Sequence, residues 1–442
     1  MALSGLDIYK LLPKTNCREC GFVTCLAFAM QLAKKAVSVD KCPHLSDDAK
    51  KALEASSQPP IKLVTLGEGD NKLEMGNETV LFRHEEKFYH PAGLGFIIED
   101  INAADLIKQK INRINQLRFE RVGQELNVNA VAVKNNADKG KFAEAVRIVA
   151  ENTRLAIVLM SSDPAALREA LNIAASRKPL IYSATKENAA ELSKLAKEFD
   201  VPLAASAADP DSLSTLTKEL NSLGVSDIVI DTGRKPLKDK IWDLTQIRRQ
   251  ALKKSNRSLG YPVLTIVDTK DPYEEVMEAA TYISKYAGLI LVSGVEPWQA
   301  LSLLTLRQNI YTDPQKPLQI EPKLYPVGAV TNDSPVLVTT NFSLSYYTVL
   351  GEVEASKIPA YIVSVDTEGM SVLTAWAAEK FTPDKIADSI DKFAVKDAVS
   401  HKRMIIPGYV AVLSGDLEDK TGWQIMVGPK EAAGIPSFLK NL

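Results

Sequence analysis

Four cysteines, Cys17, Cys20, Cys25 and Cys42, are the only ones in this chain of 442 residues, and they fall in the pattern C-x2-C-x4-C-x16-C with Pro43 after the last. Thiolates are soft ligands, and four of them drawn from one short stretch make a single tetrahedral metal site. Structural zinc sites usually pair two close-spaced knuckles across a longer loop. Here Cys17–Cys25 supplies three sulfurs and the fourth stands apart. That layout favours a [4Fe–4S] cluster and leaves zinc open. A disulfide pair is the weakest reading, because Met1–Asn16 has neither an apolar segment nor a small-residue cleavage site to mark export. Gly21 permits a tight turn around a bulky core. The run from Cys25 to Val37 predicts an amphipathic helix whose positive end carries the third ligand.

Residues 43–442 contain no cysteine. A dedicated metal module over 1–57 is therefore expected, closing after a helical stretch at Asp47–Ala55. Ser56-Ser57-Gln58-Pro59-Pro60 reads as a linker that would let the module move. Residues 58–92 form a linker and crossing segment, with short strands expected at Ile61–Leu66, Thr79–Arg83 and Glu86–Tyr89.

From residue 93 the pattern is regular. Apolar runs begin near Gly95, Asn129, Leu155, Leu180, Val201, Asp227, Val263 and Gly288. Helix-period stretches follow at 105–121, 139–152, 163–176, 188–199, 211–223, 237–255, 273–286 and 296–309. Asp163-Pro164, Asp271-Pro272 and Glu296-Pro297 are start signals. Such alternation predicts a (β/α)8 TIM barrel over 93–323, with an open doubly wound sheet as the alternative. Chemistry in such barrels sits where the strands end. Those positions are Glu99, Asp100, Lys134, Asn135, Ser161, Ser162, Ser183, Ser206, Asp231, Thr232, Asp268, Thr269 and Ser293. Glu99, Asp231 and Asp268 offer an acid–base set. The plainer reading, which we prefer, is that they cap helices and line a mouth used for protein contact.

Residues 324–442 predict a small Rossmann-like α/β domain. Strands are expected at Pro335–Thr340, Tyr361–Val365, Met404–Leu413 and Trp423–Val427. Helices are expected at Ser345–Ala355 and Gly369–Lys380 and after Thr382-Pro383. Ligands in such sheets lie beyond the carboxyl ends of the strands. Three loops qualify: Thr339–Ser343 leading to Tyr346, Asp366–Ser371 leading to Val372, Leu373 and Thr374, and the last Gly-Pro…Ala-Ala-Gly turn. The candidate cofactor contacts are Thr340, Tyr346, Gly369, Met370, Ser371, Val372, Leu373, Thr374, Ala433 and Gly434. Phe342 is a possible packing aromatic, and Trp376 is assigned to the core.

The opening Ile8–Cys25 with Cys42-Pro43, the stretch Leu337–Leu344 and Glu368–Thr374 resemble the large (gamma) subunit of corrinoid/iron–sulfur proteins of the acetyl-CoA (Wood–Ljungdahl) carbon-fixation pathway. The resemblance runs over essentially the whole chain. It implies a methyl carrier, a component of corrinoid-dependent methyltransferase reactions with no catalytic residue of its own. In that family a small barrel subunit completes a heterodimer, and a cobalamin-type corrinoid lies between that barrel and the C-terminal domain of the large subunit. The cobalt takes a methyl group from methyltetrahydrofolate or a related pterin through a methyltransferase. It passes the group to acetyl-CoA synthase/CO dehydrogenase. The cluster, fed by a reductive activator or ferredoxin, returns cob(II) to cob(I). A lower-face histidine is not expected: no D-x-H-x-x-G motif is present, and His401 reads as a surface residue. His44, His84 and His90 are not expected to bind metal.

Composition narrows the partners. With 53 basic and 55 acidic residues and a formal charge of −2, no nucleic-acid partner is implied. No run of 18 apolar residues occurs, so a soluble, cytoplasmic protein without a membrane span is expected. An iron–sulfur oxidoreductase with a flavin or nucleotide on the C-terminal domain is a competing reading. It is weakened by the missing G-x-G-x-x-G. A barrel that binds a pterin itself, with zinc in the cysteine module, is a third.

Overall fold

The computed structural model describes residues 5–33, 37–46, 49–50, 53, 59–69, 72–267, 269–315 and 317–442. The chain divides into two compact units, Met1–Phe119 with Leu126–Tyr311, and Glu120–Glu125 with Thr312–Leu442.

The first unit opens with helices Gly5–Leu11 and Cys25–Ala33, which pack through a small core of Ile8, Leu12, Phe28 and Ala29. The expected helix from Cys25 thus runs to Ala33, and 34–36 lie outside the described residues. So do most of the helical stretch 47–55 and of the linker 56–60. Strands β1 (Val64–Leu66) and β2 (Leu73–Met75) form an antiparallel hairpin. No strand forms at 79–83 or 86–89, because carboxylates take the backbone donors there. Glu78 accepts from Tyr89 N and His90 N, and Glu85 accepts from Leu81 N and Phe82 N.

Eight parallel strands then close a barrel: β3 (Gly93–Glu99), β6 (Ala130–Lys134), β7 (Ala156–Met160), β8 (Leu180–Ala184), β9 (Leu203–Ser206), β10 (Ile228–Asp231), β11 (Val263–Ile266) and β12 (Ala287–Val292). Because both faces are covered, the runs are mostly apolar, with polar residues gathered toward their carboxyl ends. Side chains alternate along each strand. Ala130, Ala132, Val158 and Leu289 point inward, while Phe96, Val131, Ile157 and Ile290 meet the helices. Val64, Leu66, Leu73 and Met75 of the β1–β2 hairpin join the inward set and plug the barrel interior. Gly93 allows this, since a Cβ there would lie 2.7 Å from Leu73 Cδ2.

The helix expected over 105–121 ends at Asn115. A hairpin of β4 (Arg118–Arg121) and β5 (Gln124–Asn127) follows, turning at Val122 (φ 52°) and Gly123 (φ 65°). Positive φ at both central residues matches the twist of a two-residue hairpin.

The second unit is a five-stranded sheet in the order β13 (Leu324–Val327), β15 (Ala360–Val365), β14 (Val336–Thr340), β16 (Arg403–Ile406), β17 (Gln424–Val427). Only β13 is antiparallel. Helices Ser343–Ser356 and Ile435–Lys440 cover Leu337, Ile362 and Ile405 on one face. Val372–Ala377, Pro383–Lys392 and Ser414–Thr421 cover Val338, Val363 and Ile406 on the other. The strand expected to reach Leu413 stops at Ile406, where Pro407 removes a ladder donor and 3-10 turns begin at Gly408. The helix expected over 369–380 shortens to Val372–Ala377.

Candidate functional site

The cysteine module wraps its ligands in unusual backbone. Lys14, Asn16, Arg18 and Gly21 all have positive φ (59°, 50°, 66° and 84°), so the loop curls tightly around Cys17 and Cys20. Asn16 pins the loop to the helix start: its Oδ1 accepts from Cys25 N at 2.8 Å, and its own N–H points at Cys25 Sγ at 3.4 Å. The Cys42 thiol is pushed up by burial, is eased by the backbone N–H of His44, and is raised further by the charges of Cys20, Cys25 and Cys17. Four soft sulfur ligands from one short stretch, with N–H donors aimed at Cys25 and Cys42, fit a metal centre with sulfur around it. His44, which is not expected to bind metal, pairs with Glu19 at 3.0 Å. Its ring nitrogen, a Glu19 oxygen and Cys17 Sγ lie within 4.8 Å of one another, all exposed.

In the second unit the strand order reverses beside β14, and a cavity of about 350 Å³ opens there, at the carboxyl ends of β14 and β16. Its walls come from Leu337 and Thr339, from Leu344, Ser345, Thr348 and Val349 of the helix after β14, from Ile405 and Pro407, and from Ala432, Ile435 and Phe438. Phe342, Ser371, Val372 and Tyr409 line its edge, and Lys430 is the charged residue in the lining. Leu344, Leu373, Trp376 and Tyr409 expose large apolar side chains. Thr340 Oγ1 is buried at the end of β14 without a hydrogen-bond partner. An apolar hollow with a few hydroxyls and an exposed apolar rim fits part of a large amphiphilic cofactor.

The barrel mouth holds a second hollow of about 200 Å³, lined by Ile97, Glu99, Lys134, Met160, Tyr182, Asp231, Arg234 and Ile266 among others. Asp231 in its lining and the carboxylates beside it are held by neighbouring donors. Asp231 accepts from Lys240 Nζ (2.5 Å), Gly233 N (3.0 Å) and Tyr182 Oη (2.7 Å). Burial and the Asp231 charge push the Tyr182 phenol far up. Asp100 accepts from Asn135 Nδ2, Asn136 N and Ala137 N, and Asn135 in turn accepts from Ser161 Oγ. Glu275 accepts from Ser293 N and Gln299 Nε2. Thr269 donates to Glu274. Thr232 Oγ1 is buried without a partner. Ser162, Ser183 and Ser206 edge the same strand ends without lining the hollow.

The helix-cap reading of the mouth carboxylates is thereby corrected. Helix Ala104–Asn115 and helix Leu237–Lys253 start at Ala103 and Pro236 without side-chain caps. Glu99 instead faces Lys134 at 3.7 Å, and Asp231 is neutralised by Lys240. Asp268 lies outside the described residues. The caps are other aspartates, Asp138, Asp163, Asp209 and Asp271.

Residues 63–439 match the family described as CO dehydrogenase/acetyl-CoA synthase delta subunit, and residues 12–44 match one described as "Putative Fe-S cluster". The corrinoid/iron-sulfur protein large subunit of Moorella thermoacetica is 48% identical over 441 residues, covering 100% of this chain and 99% of that one. The chain belongs to the corrinoid/iron–sulfur protein large-subunit family. The gamma subunit of the acetyl-CoA decarbonylase/synthase complex of Methanothermobacter thermautotrophicus is 37% identical, covering 100% and 99%. That of Methanopyrus kandleri is 36% identical, covering 99% and 98%. The resemblance drawn from the opening motif therefore holds over the full length.

Within this family member, the expected cofactor contacts divide. Ser371 and Val372 line the strand-end cavity. Leu373, Thr374 and Ala433 are exposed beside it, and Gly434 is half-buried. Met370 packs into the core of the second unit. Tyr346 is buried against Tyr325 and Tyr347, with ring centroids 4.7 and 5.1 Å away. Thr339 lines the cavity, whereas Thr340 points to the opposite face of β14, as the two-residue strand period requires. Trp376 is not a core residue: it is 41% exposed, and the buried tryptophan is Trp423. His401 is half-buried, bonded to Ser334 O and Arg403 N, while His84 stacks on Phe82 and His90 bonds Gly76 O. Asn16, which braces the cysteine loop, and Asn341, which braces the loop at 366–369, were not singled out in the sequence.

Proposed function

We propose that this chain is the large subunit of a methyl carrier, with an iron–sulfur module at 1–57, a crossing segment at 58–92, a barrel at 93–323 and a Rossmann-like corrinoid-binding domain at 324–442. The observation that carries the reading is the pairing, in one chain, of a converging four-cysteine module with an apolar cavity at a strand-order reversal. Its full-length 48% identity to a corrinoid/iron-sulfur protein large subunit supports it. Cys17, Cys20, Cys25 and Cys42 would hold a [4Fe–4S] cluster, and the cavity would hold the buried part of a cobalamin-type corrinoid. When bound, the corrinoid supplies a low-valent cobalt that accepts and passes on a methyl group, and the cluster supplies the electron that restores it.

The chain's own residues then bind and shield. Leu337, Val349, Ile405 and Phe438 exclude water from the cavity, while Ser345, Thr348 and Ser371 offer hydroxyls to polar edges of the cofactor. None of the cavity's lining residues is a histidine. The described lining would therefore offer a bound cobalt no imidazole nitrogen. Thr339, Ser371 and Val372, which line the cavity, would contact the cofactor at the strand ends. The partners on this reading are a small barrel subunit in a heterodimer, a methyltetrahydrofolate methyltransferase, acetyl-CoA synthase/CO dehydrogenase and a reductive activator or ferredoxin, all in the cytoplasm.

Metal analysis of the heterodimer isolated anaerobically from its native host tests both assignments. About four irons and about one cobalt per heterodimer are expected. Iron without cobalt would move the C-terminal site to a flavin or nucleotide, and zinc alone would overturn the redox role.

A further inference from the structure

The C-terminal cavity is shaped by a side chain that does not line it. Asn341 follows β14, is fully buried and joins three segments. Its Oδ1 accepts from Thr367 N at 2.9 Å, Gly369 N at 3.0 Å and Thr367 Oγ1 at 3.1 Å. Its Nδ2 donates to Gln319 Oε1 at 3.2 Å and Asp366 Oδ1 at 3.3 Å. Its backbone N–H donates to Val365 O, and its C=O accepts from Ile320 N. One amide therefore uses both ends at once, as only Asn or Gln can.

The loop so held is one the backbone does not favour unaided. Glu368 and Gly369 both have positive φ (57° and 75°), and the loop delivers Ser371 and Val372 to the cavity edge. On its other side Asn341 leads into Phe342, also at that edge, and into the helix carrying Leu344, Ser345, Thr348 and Val349. We infer that Asn341 is a positioning residue that pre-shapes the cavity before the cofactor arrives, so that binding orders little. This rests on the corrinoid reading of the site. Its consequence is that the residence time of the cofactor is set by a group that never touches it.

Asn341→Asp tests this, because it keeps the shape and the three accepted bonds but turns the donor facing Gln319 and Asp366 into an acceptor. In the heterodimer the corrinoid, followed by its absorbance and by cobalt content after gel filtration, should dissociate at least about tenfold faster. Iron content should not change. Adding Asp366→Asn, which removes the opposing charge, should recover part of the loss. Thr382→Ala removes the cap of helix Pro383–Lys392 in the same unit without approaching the cavity. It should lower the melting temperature and leave dissociation unchanged. If Asn341→Asp does not fold, Gly369→Ala probes the same clamp, since its Cβ would lie 2.6 Å from Gln319 Cγ. Cobalt retained at an unchanged rate in the variant would overturn the inference alone. So would cofactor loss that only tracks melting, as shown by an equal loss in Thr382→Ala. Absence of cobalt from the unsubstituted heterodimer would overturn the corrinoid reading and this inference with it.

Discussion

The barrel mouth and the C-terminal cavity both lie at the carboxyl ends of parallel strands, where ligands usually bind, yet their chemistry is opposite. At the mouth Asp231, Lys240 and Tyr182 satisfy one another, Asp100 is saturated by three donors, and Glu275 is held by Ser293 and Gln299. The C-terminal cavity is walled by aliphatic and aromatic side chains, with Lys430 as the charged residue in its lining. Location at a strand end is thus not enough to make a site. What matters is whether the polar groups there are already occupied with each other.

The largest expected effect tests the mouth. Asp231→Ala would strand Lys240, only 3% exposed, without its counter-ion. Removing one partner of a buried pair typically costs about 3–5 kcal/mol. Chemical denaturation should show a loss of that order, with corrinoid retention unchanged wherever the heterodimer still folds. If stability held while methyl transfer fell, the mouth would be a working site and the contrast would fail.

A smaller change should separate the two hollows directly. Thr348→Trp places an indole in the C-terminal cavity, and Met160→Trp does the same at the barrel mouth. Corrinoid affinity should fall about a hundredfold, or ~2.7 kcal/mol, in the first and stay within about twofold in the second. Equal losses would mean that the cofactor does not use the C-terminal cavity.

How far the sequence disclosed this contrast follows from the range of the interactions involved. The barrel strands were legible because each is a continuous apolar run, and the aspartate–proline helix starts are local signals read within a few residues. The cysteines stood out because a metal site would need its ligands close together, and three of them lie between Cys17 and Cys25, inside the matched residues 12–44. Strand register was not: Thr339 lines the cavity, whereas Thr340, the residue singled out, lies one position on and so on the other face. The β4–β5 hairpin was missed because the helical period continues past Asn115, although Val122-Gly123 was its local signal. Asn341 was beyond reach, since its side-chain partners are 22 to 28 residues away in sequence. Only folding brings them together. The same holds for Asp231 and Lys240, which look like an isolated strand-end carboxylate and a helix-face lysine until the barrel closes.

The smallest expected effect concerns acid. Four barrel helices are capped by aspartates, whereas in the second unit helix Pro383–Lys392 is capped by the Thr382 hydroxyl, and the helices starting at Ser343 and Val372 lack side-chain caps. The backbone N–H of Ser212, then the Ser212 hydroxyl and Asp211 N–H, hold Asp209 below the usual carboxylate range. The backbone N–H groups of Lys141 and Gly140 do the same for Asp138. A depressed folded pKa contributes stability that is complete above the unfolded value, near 4, and is lost as pH falls through the folded value. Amides at the start of helix Pro210–Ser222 should therefore lose hydrogen-exchange protection below about pH 4, and those at the start of helix Pro383–Lys392 should not lose it by this route. Asp209→Asn keeps a capping oxygen but cannot titrate. It should flatten the acid limb for the first helix alone. Equal acid sensitivity at both helices would show that the acid response comes from elsewhere in the fold, and that the two units differ in their hollows but not in how their helices are anchored.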